Sequence, residues 1–130
     1  MLNRQASALS GWKQVNDRII TARLQSLQAK TTIVQVYVPT EDASDIDKDA
    51  FYDQLQDVID DTSHDVKLLL GDFNAQTDNK HQGLVHVIGP HGLARHTTDN
   101  GERLLLFCNV NGFCVGNKYY PHKDIHKKTW

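Results

Sequence analysis

The sequence predicts an α/β protein in which mixed sheets and helices pack in layers, and three observations predict it. Two β-branched runs, residues 19–24 and 31–38, are separated by a short polar connection. A stretch after Ser44 carries apolar residues at helical spacing. Residues 66–70, Val-Lys-Leu-Leu-Leu, form a short apolar run with no polar face. Composition agrees: 130 residues, 39% hydrophobic and 23% charged, is a profile that can bury the core of one globular domain and is neither disordered nor fibrous.

Residues 1–16 are polar around a lone Trp12 and are expected to be a flexible lead-in, with the folded part running over 17–130. In residues 19–24, Ile20, Ala22 and Leu24 alternate with Thr21 and Arg23, the pattern of a half-buried strand. Residues 31–38 follow as a second strand, stopped by Pro39, and the polar link between the two implies an antiparallel hairpin. Ser44 or Asp45 can cap the next helix, with Asp47 and Asp49 near its positive end. Its buried face is Phe51, Leu55, Val58 and Ile59. Residues 66–70 read as a central strand covered on both sides, and 75–98 as a long loop with one weak apolar patch at 84–88. Asp99 with Glu102 resembles a capping box for a helix whose apolar face is Leu104, Leu105, Phe107 and Cys108 and whose end is Asn111-Gly112. A strand is expected over 113–119, and the chain stops at Trp130 within what reads as another strand, which suggests truncation.

The formal net charge of −2 announces no basic nucleic-acid surface, although a local groove can be positive on such a protein. No apolar run is long enough to span a membrane, and residues 1–5 lack the apolar block of a signal peptide. Two cysteines, Cys108 and Cys114, make no CxxC pair and no disulfide framework. An intracellular protein with free thiols is expected.

Chemistry concentrates at two strand ends. Gly71 permits a sharp backbone change, and Asp72 and Asn74, two apart, would point the same way in an extended segment. A carboxylate and an amide facing one pocket can hold and deprotonate a water and contact a phosphate oxygen. An Asx-type turn closing the strand accounts for the same residues. Tyr37, in Tyr37-Val38-Pro39, could donate to a phosphate oxygen or be a rim tyrosine beside an edge proline. His81, His86, His91 and His96 recur every five residues, and His122 and His126 lie four apart; with Cys108 or Cys114 they could suggest zinc, but no ligand spacing supports it and solvated loop histidines explain them better. Asp42, Asp45, Asp47 and Asp49 lack the calcium-loop pattern, and capping and solvation account for them.

Taken in order, Val36-Tyr37-Val38-Pro39-Thr40, Leu69-Leu70-Gly71-Asp72-Phe73-Asn74-Ala75, Gly89-Pro90-His91-Gly92-Leu93, Asn100-Gly101-Glu102-Arg103-Leu104, Gly116-Asn117 and Lys128-Thr129-Trp130 resemble the endonuclease/exonuclease/phosphatase superfamily. The likeness is to the endonuclease domain of RTE-type non-LTR retrotransposons and its host-encoded relatives, and it covers residues 17–130. It implies a four-layered α/β sandwich, two sheets between outer helices, of which this chain would be a part. It also implies Mg²⁺ and in-line attack of water on a phosphodiester, with DNA as the partner of the complete domain. By resemblance Tyr37 contacts the phosphate, Asp72 handles the attacking water, Asn74 orients water and phosphate, and Thr129 lies near the DNA-binding surface.

The departures are as informative. The family's metal-binding glutamate, commonly in a Gln-Glu pair, has no counterpart here, nor does the asparagine before it or the later Ser-Asp-His motif. Ala94 stands where relatives often have glycine, and Lys118 where they often have threonine. The expectation is a fragment of a DNA-nicking phosphodiesterase, inactive by itself. A host protein that keeps the fold without catalysis, or a phosphatase branch of the superfamily, are the alternatives; the residues at 100–103 and 128–130 argue against the last.

Overall fold

The computed structural model describes residues 8–62, 66–78, 83–89 and 94–116. The fold is α/β, and the chain divides into two compact units, Met1–Pro39 with Ala43–Phe73, and Thr40–Asp42 with Asn74–Trp130. No helix among the described residues is long and apolar enough to cross a membrane.

The first unit is a four-stranded mixed sheet in the order β1-β2-β3-β4, with one helix. β1 (Ala8–Gln14), β2 (Ile19–Gln25) and β3 (Lys30–Tyr37) form an antiparallel meander. α1 (Asp45–Asp60) carries the chain over to β4 (Val66–Asp72), which pairs parallel to β3. Ser44 caps α1, its side chain accepting from the N–H of Asp47. The buried stripe is Lys48, Phe51, Leu55 and Ile59, with Val58 half-buried beside it. Ile19, Val34 and Val36 line the buried face of the sheet. Lys67, on that face, donates from Nζ to the carbonyl of Ile59 at 3.3 Å, which places α1 over it.

Residues 8–14 correct the expectation of a flexible lead-in. The register shifts between Leu9 and Gly11, so Leu9 pairs with Leu24 and Trp12 with Ala22. One extra residue thus puts two apolar side chains three apart on a single face, and a strict period of two fails to see them. Residues 1–7 lie outside the described residues.

β4 is also not the strand expected. It is the edge of the sheet among the described residues, and Val66, Leu68 and Leu70 are 40%, 44% and 51% exposed. Cross-strand register continues this face through Ile33, Ala22 and Ile20 to Leu9 and Trp12, the last 69% exposed. The run is apolar on both faces, but α1 covers only one. An apolar patch of this extent binds hydrophobic probes. The folded chain is expected to enhance the fluorescence of a dye such as anilinonaphthalene sulfonate, and Trp12→Lys combined with Leu70→Lys to remove most of the signal. Equal dye fluorescence from the double variant, with an unchanged melt, would show that this face stays covered in solution.

The second unit is built on α3 (Asp99–Asn111), against which the one-turn helix α2 (Val85–Ile88) packs. Its core is Val87, Ile88, Leu104, Leu105, Phe107 and Cys108. Phe113 stacks on Phe107 with ring centroids 6.1 Å apart, and the N–H of Val115 donates to the carbonyl of Val87 at 2.8 Å. Gly112 closes α3 at φ 72, the left-handed cap that its position implies. The N-cap is Thr98 rather than Asp99: its hydroxyl accepts from Gly101 N–H, while Asp99 pairs with Arg103 at 2.8 Å, one turn on. The apolar patch in the expected loop 75–98 is α2. Residues 113–116 form no strand, and the remainder of the strand expected over 113–119, together with Trp130, lies outside the described residues.

Candidate functional site

Two of the candidate residues come together in the first unit. Parallel pairing of β3 and β4 runs from Thr31 opposite Val66 to Tyr37 opposite Asp72. Tyr37 and Asp72 are therefore neighbours on one face of the sheet, at the carboxyl ends of adjacent parallel strands, where ligands of α/β sheets commonly bind. Both are exposed, Tyr37 by 51%. A strand spacing of about 4.8 Å sets the two backbones side by side. The pairing persists one residue further, the N–H of Val38 donating to the carbonyl of Asp72 at 2.9 Å.

Gly71 makes this closure possible. Its φ is 134, and a Cβ there would lie 1.9 Å from the carbonyl oxygen of Val36. Only glycine lets β4 approach β3 at this register, one residue before Asp72.

Arg18 belongs to the same cluster and had no signal in the sequence. Asn16 Oδ1 accepts from the N–H of Arg18 (2.8 Å) and of Ile19 (2.9 Å), an Asx turn between β1 and β2. The turn carries the Arg18 guanidinium over the ring of Tyr37, 5.3 Å from its centroid, and Nη1 donates to the carbonyl of Tyr37 at 3.1 Å. The stack holds the phenol and sets a permanent positive charge beside it. A single arginine in a turn is unremarkable until hairpin register brings it to Tyr37.

Asn74 belongs to the second unit. β4 ends at Asp72, and Asn74 has a left-handed backbone, φ 45. The alternation that would align Asp72 with Asn74 in an extended segment therefore does not run through it. The Asn74 carbonyl accepts from Nδ2 of Asn100 at 3.0 Å. Phe73, between the two, is half-buried. Thr129, Lys118, His81, His91, His122 and His126 lie outside the described residues. His86 shares a 3.1 Å hydrogen bond with Asn109. Cys108 is buried, and burial above all, with a smaller contribution from Cys114, pushes its thiol up to about 12; at neutral pH it stays protonated, the inert state of a buried cysteine. Cys114 is exposed, and both are free thiols.

No family model matches the chain. Over 128 residues, 98% of its length, the chain is 31% identical to a protein named Craniofacial development protein 2 from Bos taurus, of which it covers 21%. A protein of the same name from Tragulus javanicus is 30% identical over 128 residues, again 98% of this chain and 22% of the relative. The chain is thus similar along nearly its whole length to these two proteins and spans about a fifth of theirs.

Proposed function

We propose that this chain is part of a phosphodiesterase domain of the endonuclease/exonuclease/phosphatase type, whose complete form nicks DNA, and that the chain is inactive by itself. The observation that carries the reading is the placement of Tyr37 and Asp72 side by side at the ends of two parallel strands. On this reading Tyr37 donates to a phosphate oxygen and Asp72 takes the proton of a water. The water oxygen bonds to phosphorus as the bond to the leaving sugar oxygen breaks, and that oxygen takes a proton from solvent. Asn74 orients the water and the phosphate. Arg18, stacked on Tyr37, favours an anion at this strand end.

The superfamily uses a divalent ion, Mg²⁺, as a Lewis acid. Among the described residues no three His, Cys, Asp or Glu side chains are arranged to hold a metal ion. This chain's described residues therefore do not fit the ion on their own, and the ion belongs with a complete domain. A second reading is a host protein that keeps the fold as an interaction unit without catalysis. The names of the relatives refer to development and are compatible with it.

The test is a chain fused to the Gln-Glu and Ser-Asp-His segments of an active relative. The fusion should nick supercoiled plasmid in Mg²⁺, and the 130-residue chain should not. A folded fusion that leaves the plasmid intact supports the non-catalytic reading.

A further inference from the structure

Two segments of the second unit, Thr40–Asp42 and the one that begins at Asn74, are fastened to the first turn of α3. Glu41 lies two residues past Pro39, in the loop after Tyr37-Val38-Pro39. Its carboxylate accepts from the backbone N–H of Asp99 at 2.9 Å and of Asn100 at 3.0 Å. Asn74, two residues past Asp72, accepts on its carbonyl from Nδ2 of Asn100. Asn100 is fully buried. The segment behind Asn74 is laced to the same turn. The N–H of Gln76 donates to Thr98 Oγ1 at 3.1 Å, the N–H of Thr98 to the carbonyl of Gln76 at 3.0 Å, and the N–H of Asp78 to Thr97 Oγ1 at 3.1 Å. The approach is so close that a Cβ on Gly101 would lie 2.0 Å from the carbonyl oxygen of Gln76.

Each contact has a physical reason. The first N–H groups of a helix have no partner within it, and an ionised carboxylate both satisfies them and faces the positive end of the dipole. A left-handed backbone at a residue other than glycine persists where its surroundings hold it. At Asn74 one such contact is the Asn100 amide.

We propose that the first turn of α3 is a positioning platform within the second unit: Asn100 fixes the backbone of Asn74, and Glu41 fixes the segment Thr40–Asp42. Glu41 and Asn100 are positioning residues and touch no substrate. The functional meaning of the platform rests on the phosphodiesterase reading above; its geometry does not.

The isotope-labelled 130-residue chain tests it by NMR. Asn100→Asp keeps the size of the side chain and removes the donor. Asn74 should lose the strong intraresidue amide-to-Hα contact of a left-handed residue, and its carbonyl carbon should move upfield, while the resonances of α1 and β2 to β4 stay in place. Glu41→Gln should speed amide exchange at Asp99 and Asn100 by about tenfold or more, with the later turns of α3 unchanged. An unaltered Asn74 signature, or unaltered exchange at Asp99 and Asn100, overturns the proposal. If Asn100→Asp does not fold, the wild-type chain decides: its Asn100 side-chain amide should be protected from exchange and show a contact to Ala75, and a freely exchanging amide overturns it. In a fusion that nicks DNA, Asn100→Asp should lower kcat with KM unchanged, and an unchanged kcat also overturns it. A wild-type fusion that does not nick counts against the phosphodiesterase reading, while the NMR result still decides the positioning.

Discussion

Asp72→Ala, made in the fusion that supplies the absent glutamate and histidine, is expected to lower plasmid nicking by about a hundred- to ten-thousand-fold, the usual contribution of a placed general base. Asp72 is an exposed carboxylate opposite Tyr37 at the end of β4, so on the proposed reading its removal takes away the proton acceptor while the backbone pairing of the sheet stays. The melting temperature should stay within a few degrees of the parent fusion. Tyr37→Phe, which keeps the ring under Arg18 and removes only the donor, should cost about a hundred- to a thousand-fold by the measure of a lost electrostatic contact. The 130-residue chain should show no nicking above background with Mg²⁺ or Mn²⁺, because groups that act as a unit lose most of their effect when some are absent. Nicking by the chain alone, stopped by Asp72→Ala, would show that another residue takes the place of the missing glutamate.

Gly71→Ala is expected to destabilise the first unit by about 3–5 kcal/mol, among the largest effects a single substitution has. Two penalties coincide there. The backbone sits at φ 134, which an L residue disfavours, and the new Cβ would meet the Val36 carbonyl at 1.9 Å. Backbone cannot swing aside as a side chain can, so relief requires β3 and β4 to part at the register that holds Tyr37 beside Asp72. Gly11→Ala is the internal control: nothing lies within 4 Å of its Cβ, and it should change stability by no more than about 0.5 kcal/mol. Urea melts followed by circular dichroism compare the two. A Gly71→Ala chain as stable as wild type would mean that the β3–β4 closure described above is not the structure in solution.

Local signals carried well from sequence to structure. The period of α1 marked Phe51, Leu55 and Ile59, because a helix buries residues by its own geometry. The β2–β3 hairpin, the left-handed end of α3 at Gly112, and the position of Tyr37 and Asp72 at strand ends followed from turn residues and short apolar runs. Where the local signal was irregular, reading failed. The register shift in β1 offsets Leu9 from Trp12, and Thr98 rather than Asp99 caps α3, with Glu41, remote in sequence, taking up the N–H groups of Asp99 and Asn100.

The amino-acid sequence by itself determined the α/β class, the helices α1 and α3, the pairing of β2 with β3 and the two strand ends that carry Tyr37 and Asp72. Each of these depends on residues a few positions apart, whose spacing and turn chemistry act before any tertiary contact forms. Only the tertiary structure decided that β4 lies at the edge of the sheet among the described residues, that Arg18 stacks on Tyr37 and that Asn100 donates to the carbonyl of Asn74, whose backbone is left-handed. Those depend on groups 19 to 35 positions apart or more in the chain, brought together by strand register and by the docking of a loop on a helix end, and no spacing in a linear sequence encodes which distant partner a buried amide or a guanidinium will find.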